Sequence, residues 1–317
     1  MYIGIDLGGT NIKAGVIDDD GKILSSLVVP TEASLGWEKV ISNIEKIISN
    51  LLKENNVHAI GIGIPGPVDF EKGVIREMPA IYGAKNINIV EYIRNKFGKY
   101  VFVDNDANNF VLGEIAFGVA KGKKYVLGIT LGTGIGGGIV IDGKLYRGFN
   151  NYAGEVGHIA IVPNGTQCNC GKFGCWEAYG SATALIKNAL SYKKRNIDTK
   201  LKDYPDDKID AKLIFNLAKE GDEFCNDLVQ NMFLYLGLGI SSLVNVLNPE
   251  IVVIGGGVSL AGDFLLEPVK RITQNNVLPP LRENLKIVLS KFGNTAGMLG
   301  AAGLAKFEYE NIKTKNL

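Results

Sequence analysis

The side chains best suited to chemistry are gathered between positions 155 and 177. Three cysteines in the spacing C-x-C-x4-C follow a histidine by ten residues. These residues, His158, Cys168, Cys170 and Cys175, supply the closed Cys3His set that a structural Zn2+ takes in tetrahedral geometry. Buried structural cysteines rarely gather in one short glycine-rich loop, and Cys225 stands alone elsewhere in the chain. We therefore predict a structural zinc site in this loop.

Two carboxylates flank the predicted zinc site. Glu155 precedes the histidine, and Glu177 follows the last cysteine. A closed metal site would fix the loop that carries both residues. Carboxylates fixed in this way can hydrogen-bond sugar hydroxyls, whereas either one alone could equally be surface charge on a polar loop.

An acid followed by a double-glycine turn lies near the start of the chain. The segment comprises Asp6, Gly8, Gly9, Thr10 and Asn11. Backbone N–H groups of such a turn form a concave anion site, and the threonine and asparagine add side-chain donors. On its own this pattern also fits an ordinary tight hairpin.

Two further glycine turns follow apolar runs. The first contains Gly132, Thr133 and Gly134 and has a formal G-x-G-x-x-G pattern, but strand residues follow it where a dinucleotide site needs a helix. The second is Gly255, Gly256 and Gly257, which fits a close approach to a nucleotide base or ribose, or a strand-to-helix turn. We predict that these turns bind a nucleotide, but that they do not form a Rossmann dinucleotide-binding motif.

A polar run, Asp104-Asn-Asp-Ala-Asn108, follows a predicted strand and starts a predicted helix. One of its residues could be a helix N-cap, but four polar residues in five exceed what a cap needs. A carboxylate held at the start of a helix can accept a hydroxyl proton as a general base. Asp106 or Asp104 is therefore the candidate base.

The elements that carry these groups come in two copies. Residues 4–8 match residues 128–132, and residues 16–18 match residues 140–142, both at an offset of 124. A period this long indicates a domain duplication rather than a solenoid. Each half is predicted to begin with a three-strand meander and to continue into alternating helices and strands, so that the paired glycine loops face each other across a cleft.

Hydrophobic periodicity gives the remaining elements. The predicted strands are 2–6, 12–18, 22–29, 59–64, 100–103 and 251–254. The predicted helices are 37–52, 105–118, 177–189, 211–220, 222–247 and 296–306, and residues 191–208 are predicted to be a surface loop. In the last helix Gly297, Gly300 and Gly303 share one face, which indicates close helix packing.

Composition narrows the function classes. The 317 residues correspond to about two domains, and 34 basic against 33 acidic residues leave a net charge of +1. Neither nucleic acid nor an anionic membrane is expected as a partner. The chain begins without a recognisable leader, and its longest apolar stretch, residues 232–247, is short for a membrane span, so a cytoplasmic protein is expected. The 40 glycines exceed the roughly 22 of average usage, which indicates several close backbone approaches.

These motifs together resemble the ROK family (repressors, open reading frames, kinases) and, within it, the bacterial-type zinc-containing glucokinases. The resemblance covers essentially the whole chain. It is carried by the motifs at 6–10, 104–108, 131–138, 154–159 and 168–177, which occur in the family's order and spacing.

The resemblance implies an α/β, actin-like and hexokinase-like ATPase fold of two duplicated RNase H-like domains with an interdomain cleft. We expect a small domain at 1–117 plus 299–317 and a large domain with the zinc loop at 118–298. Asp106 corresponds to the family's catalytic base. Asn105, Asp106, Glu155, His158 and Glu177 match its sugar ligands, and the glycine loops match its ATP phosphate motifs, with Asp6 near Mg2+. His158 also matches a zinc ligand.

The resemblance favours an ATP-dependent hexose kinase that acts on the 6-hydroxyl of glucose, as a homodimer or homotetramer. An N-acetylmannosamine kinase, a broad-specificity hexokinase and a non-catalytic sugar sensor are the alternatives, and polyphosphate is an alternative donor. Many family kinases have a Pro-Asn-Leu segment and a nearby Trp, where this chain has Pro79-Ala80-Ile81 and Ala84. The family's repressors carry an N-terminal helix-turn-helix before the first glycine motif; because that motif begins by residue 6 here, no such DNA-binding segment is expected.

Overall fold

The computed structural model describes residues 1–193, 195 and 197–315. By internal contacts the chain divides into two compact units. The first contains Met1–Gly128, Gly138–Gly154 and Ser290–Leu317, and the second contains Ile129–Gly137 and Glu155–Leu289. These boundaries differ from the expected domain limits of 1–117 plus 299–317 and 118–298, and the domain assignment stays a prediction.

Strands alternate with helices along the chain. The strands are β1 (Tyr2–Leu7), β2 (Asn11–Ile17), β3 (Ile23–Pro30), β4 (Ala59–Ile64), β5 (Val68–Asp69), β6 (Val74–Glu77), β7 (Lys85–Asn88), β8 (Tyr100–Asn105), β9 (Val126–Leu131), β10 (Ile135–Ile141), β11 (Lys144–Leu145), β12 (Ile251–Gly255) and β13 (Lys286–Leu289). The α-helices are α1 (Trp37–Leu52), α2 (Ile89–Phe97), α3 (Asp106–Phe117), α4 (Glu177–Gly180), α5 (Ala182–Lys193), α6 (Ala211–Lys219), α7 (Glu223–Leu247), α8 (Asp263–Asn276), α9 (Pro279–Arg282) and α10 (Ala296–Lys315).

Two five-stranded sheets share one topology. The first has the order β3-β2-β1-β4-β8 and the second the order β11-β10-β9-β12-β13. In the first sheet an antiparallel meander, β1 to β3, is extended by β4 and β8, which run parallel to β1. The predicted duplication is therefore confirmed. A separate small sheet, β5-β6-β7, was not predicted.

The first sheet is packed on both faces. Helix α1 buries the apolar side chains predicted from its periodicity against one face. Helix α10 lies so close to the other face that a Cβ on Gly61 of β4 would be 1.8 Å from the carbonyl oxygen of Ala301. A Cβ on Gly300 would similarly lie 2.7 Å from the carbonyl oxygen of Asn109 in α3. The glycine face of the last helix therefore serves close packing, as predicted.

Several predicted boundaries are wrong. The expected helix 177–189 is interrupted at Ser181, and the final helix continues to Lys315 rather than ending at 306. In the expected surface loop 191–208, α5 continues to Lys193 and Leu201 is fully buried within a short 3-10 helix. Positions 194 and 196 of that segment lie outside the described residues.

Helix α7 is the one helix in the described part of the chain with the length and apolarity of a membrane span. Its apolar window is 56% buried within the protein. Core helices pass the same test of length and apolarity, so this finding is weak evidence for a membrane segment.

Candidate active site

Asp104 is the penultimate residue of β8, and its buried carboxylate accepts hydrogen bonds through both oxygens. Its Oδ2 accepts a hydrogen bond from Nε of Arg147 at 2.8 Å. Its Oδ1 accepts from the backbone N–H of Asn105 at 2.8 Å and from Nδ2 of Asn108 at 2.9 Å. Because both oxygens are committed, Asp104 holds the junction between strand and helix and is poorly placed to act as a base.

Asp106 is the first residue of α3 and is exposed. Its Oδ1 accepts from the N–H of Ala107 at 2.8 Å, and the helix dipole favours a negative charge at this end of a helix. Asn105 is the N-cap: its Oδ1 accepts from the N–H of Ala107 at 2.9 Å, and its Nδ2 donates to the carbonyl of Gly66 at 3.3 Å. Of the two candidate carboxylates, Asp106 is therefore the one that a substrate hydroxyl can reach.

The first glycine loop joins β1 to β2 and exposes Gly9, Thr10 and Asn11. The N–H of Gly8 donates to the carbonyl of Asn11 at 3.1 Å, which closes the turn. Thr31, which is fully buried, donates its hydroxyl to the carbonyl of Gly8 at 2.6 Å. The sequence pattern did not identify Thr31, because its contact with the loop spans 23 residues.

Asp6 shares an edge of the first sheet with Asp104, two residues before the candidate base. It pairs with Gly63 in β4, which pairs with Asp104 in β8, so these positions lie side by side near the carboxyl ends of parallel strands. Burial raises the pKa of the Asp6 carboxyl, an effect that the nearby Lys13 ammonium opposes. Gly297 leaves room for this carboxylate, since a Cβ there would lie 2.2 Å from Oδ2.

The second glycine loop joins β9 to β10, and residues that follow the predicted zinc loop hydrogen-bond to it. The N–H of Gly132 donates to the carbonyl of Gly134 at 3.0 Å, and its own carbonyl accepts from the N–H of Ala182 at 3.0 Å. Oε2 of Glu177 accepts from the N–H of Ile135 at 3.0 Å. The loop is therefore fixed by the segment that follows the last cysteine of the cluster.

The third glycine turn has one residue facing a cleft. Gly255 is buried at the end of β12, and Gly256 has φ 86° and lies against the backbone of Leu131. Gly257 lines a cleft of about 580 Å³ together with Thr133 of the second loop. That volume lies within the range of small-molecule and cofactor sites.

Helix α6 forms another wall of this cleft, through Phe215, Asn216 and Lys219. The sequence predicts this helix, but no motif in it gives these residues a role. In the sequence Phe215 could not be told from a core residue, and Asn216 and Lys219 could not be told from ordinary surface residues. Mostly apolar walls with a few polar groups are typical of sites that bind small molecules and cofactors.

The predicted metal ligands are brought together within the second unit. The ligand atoms of His158, Cys168, Cys170 and Cys175 all lie within 4.8 Å of one another. The Cys170 and Cys175 sulfurs are 3.6 Å apart, and the Cys168 sulfur lies 3.8 Å from Nδ1 of His158. Tetrahedral Zn2+ bonds imply donor–donor distances of roughly 3.6–3.8 Å, which these two pairs match, and Cys3His is a donor set that structural Zn2+ takes. Burial raises the pKa of the Cys168 thiol to about 12, and a cation bound there would favour its thiolate.

His158 connects this cluster to Glu155. While Nδ1 faces Cys168, Nε2 lies 4.0 Å from Oε2 of Glu155, whose carboxylate is largely exposed. One imidazole can thus ligate a metal through one nitrogen and present the other, beside a carboxylate, to a ligand.

Glu177 is more constrained than the sequence indicated. Besides the bond from Ile135, its Oε1 lies 3.7 Å from the sulfur of Cys168. Its carboxylate therefore links the cysteine cluster to the second glycine loop, with unused lone pairs remaining on both oxygens.

The predicted site residues are distributed over both units. The first unit carries Asp6, Gly8, Gly9, Thr10, Asn11, Asn105 and Asp106. The second unit carries Gly132, Thr133, Gly134, Glu155, His158, Cys168, Cys170, Cys175, Glu177, Gly255, Gly256 and Gly257. Arg147 and Thr31, which belong to none of the sequence motifs, support the residues of the first unit.

Comparison with known proteins assigns the class. The ROK family model matches residues 2–308, and the chain belongs to this family. It is 38% identical over 307 residues to the glucokinase of Thermotoga maritima, with 96% of each chain covered.

Two solved structures extend the comparison. A ROK family glucokinase from Streptomyces griseus in complex with glucose and AMPPNP has a TM-score of 0.83 and 35% identity, covering 96% of this chain and 99% of that one. A ROK hexokinase from Thermus thermophilus has a TM-score of 0.84 and 36% identity, covering 98% and 99%. With the duplicated sheet order, these similarities confirm the predicted actin-like ATPase fold.

Proposed function

We propose that this protein catalyses ATP-dependent phosphorylation of a hexose at its 6-hydroxyl, with glucose as the substrate and glucose 6-phosphate as the product. The observation that carries the proposal is the exposed Asp106 at the start of α3, beside a neighbouring aspartate whose oxygens are both engaged. Family membership and 38% identity to a glucokinase support the same reaction.

In the proposed mechanism the Asp106 carboxylate accepts the proton of the sugar 6-hydroxyl. The 6-oxygen forms a bond to the γ-phosphorus of ATP, the bond between that phosphorus and the β,γ-bridging oxygen breaks, and ADP leaves. Catalysis of this kind depends mainly on positioning and on stabilising charge on the phosphoryl oxygens. The capped start of α3 holds the base in place, because Asn105 and Asp104 fix the backbone on either side of the junction.

ATP is proposed to bind through the glycine turns and the cleft beside α6. The backbone N–H groups of the loop at 8–11 and those of the loop at 132–134 are each proposed as donors to phosphate. The cleft lined by Gly257 and Phe215 is proposed to receive the nucleoside. Gly255 and Gly256, which were also predicted to bind the nucleotide, shape the turn that presents Gly257.

Asp6 fits a role in binding Mg2+ with the nucleotide. It offers a partly buried carboxylate, and burial raises its pKa, so a nearby cation would favour its charged form. Mg2+ is commonly held by one or two carboxylates together with substrate phosphates. When bound, this ion neutralises charge on the phosphoryl oxygens.

The sugar is proposed to bind through Asn105, Glu155, His158 and Glu177. A Zn2+ held by His158 and the three cysteines would fix the loop that carries Glu155 and Glu177 and would take no part in the chemical step. A homodimer or homotetramer in the cytoplasm is the assembly and location that we propose with this activity.

A coupled assay with ATP across glucose, mannose, fructose, N-acetylglucosamine and N-acetylmannosamine tests this proposal. We expect glucose to give the highest kcat/KM. Preference for N-acetylmannosamine would indicate a different sugar kinase. This alternative is tested because Ala80 and Ala84 depart from the family's Pro-Asn-Leu segment and nearby Trp. Polyphosphate in place of ATP tests the donor, and sugar binding without turnover with any donor would indicate a sensor.

A further inference from the structure

Arg147 joins three parts of the first unit, although the proposed mechanism gives it no role. Its side chain is only 15% exposed. Nε donates to Oδ2 of Asp104 at 2.8 Å, and an Nη atom donates to Oε1 of Glu308 in α10 at 3.0 Å. The face of the guanidinium lies 3.5 Å from the ring centroid of Phe70.

A buried arrangement of this kind has a cost. Removing charged groups from water is expensive, and an ion pair of this type is commonly no more stabilising than apolar residues of the same volume. Stability alone therefore gives a weak reason for an arginine here. Its planar fork, however, fixes the direction of the carboxylates that it binds.

The carboxylate fixed in this way controls the start of α3. Asp104 uses its other oxygen to hold the N–H of Asn105 and the side chain of Asn108. Asp106 lies between those two anchored residues. The orientation of the proposed base therefore depends on Asp104, which in turn depends on the guanidinium.

We propose that Arg147 is a positioning residue for Asp106, acting through Asp104, so that it determines kcat and not the affinity for sugar or ATP. This inference rests on the proposed function. Displacement of a reacting group by about 1 Å can lower a rate by roughly 100-fold. Neither substrate needs to contact Arg147 for this effect.

The test compares Arg147→Met and Arg147→Lys with Glu308→Gln. Methionine keeps an unbranched side chain near Phe70 but leaves Asp104 without its cation, and we expect kcat to fall roughly 100-fold while both KM values stay within about threefold. Lysine keeps the charge without the fork, so an intermediate loss of kcat is expected. Glu308→Gln removes the other carboxylate on the same guanidinium, and its kcat is expected to stay within about twofold of wild type.

A double variant distinguishes the effect on the Asp104 charge from a general packing role of Arg147. In Arg147→Met combined with Asp104→Asn, the uncompensated charge is gone, so we expect a kcat no lower than that of Arg147→Met alone. If Arg147→Met does not fold, the lysine variant decides the question through the same separation of kcat from KM.

A folded Arg147 variant with wild-type kcat would overturn the inference, and so would a loss matched by Glu308→Gln or one confined to KM. Failure of the proposed function would give a different result. That failure would appear as a wild-type protein that phosphorylates no sugar, or as an Asp106→Asn variant with normal turnover.

Discussion

Gly134 in the second glycine loop provides a sharp test of the link between this loop and Glu177. A Cβ added to Gly134 would lie 2.0 Å from Oε2 of Glu177 and 3.0 Å from its carboxyl carbon. A Cβ added to Gly132, two residues away, would meet no atom within 4 Å. Neither glycine has a positive φ, so alanine can adopt the backbone at both positions. The two substitutions therefore differ mainly in the contact with Glu177.

The size of the effect follows from the hydrogen bond that must be lost. Since Cβ atoms do not approach other heavy atoms closer than 3.0 Å, Oε2 of Glu177 has to withdraw by about 1 Å in Gly134→Ala. It then no longer lies within hydrogen-bond range of the N–H of Ile135, which it now contacts at 3.0 Å. A hydrogen bond to a charged group contributes about 1.5–3 kcal/mol, so we expect a loss of about 2 kcal/mol in unfolding free energy.

Thermal unfolding of the two variants measures this difference. A loss of about 2 kcal/mol corresponds to a fall in Tm of about 4–8 °C for a unit of this size. Gly132→Ala is expected to be unchanged or slightly stabilised, because alanine restricts the unfolded chain. Equal Tm values for the two alanine variants would refute the proposed tether between Glu177 and the loop.

Three other outcomes are expected. Elemental analysis after a chelator wash should give about one zinc per chain, and Cys175→Ser should reduce it; full activity without zinc would contradict the metal site. Gly257→Leu, which fills the cleft, should raise KM for ATP at least tenfold while KM for glucose stays within twofold; an unchanged KM for ATP would place the nucleoside elsewhere. Burial raises the pKa of the Glu114 carboxyl, so the folded state binds its proton more tightly than the unfolded state does. The stability of the wild type should therefore fall relative to that of Glu114→Gln as pH rises above about 4.3, the ordinary pKa of glutamate. Parallel stability curves in urea unfolding from pH 4 to 8 would contradict that assignment.

The sequence predicted the features that depend on local spacing. The duplicated meander was visible because both copies keep the same apolar strands and glycine turns at one offset. The cysteine cluster was visible because three of its ligands lie within eight residues. In each case a short stretch of chain contains enough of the interacting groups to specify the arrangement.

Features that depend on distant parts of the chain were not predictable in this way. Sequence spacing could not separate Asp104 from Asp106, since the difference arises from Arg147, which lies 43 residues away from Asp104. The contact between Arg147 and Glu308 spans 161 residues. The role of α6 in the cleft was hidden for a related reason, because its apolar face resembles any core-facing helix.

Sugar binding and phosphoryl transfer by Asp106→Asn together test the central claim most directly. Loss of a general base typically lowers a rate by a factor of about 100 to 10,000, so formation of glucose 6-phosphate from glucose and ATP should fall at least 100-fold. Glucose binding measured by calorimetry should change by less than about tenfold, or about 1.4 kcal/mol. Turnover close to wild type in this variant would contradict the assignment of Asp106 as the base.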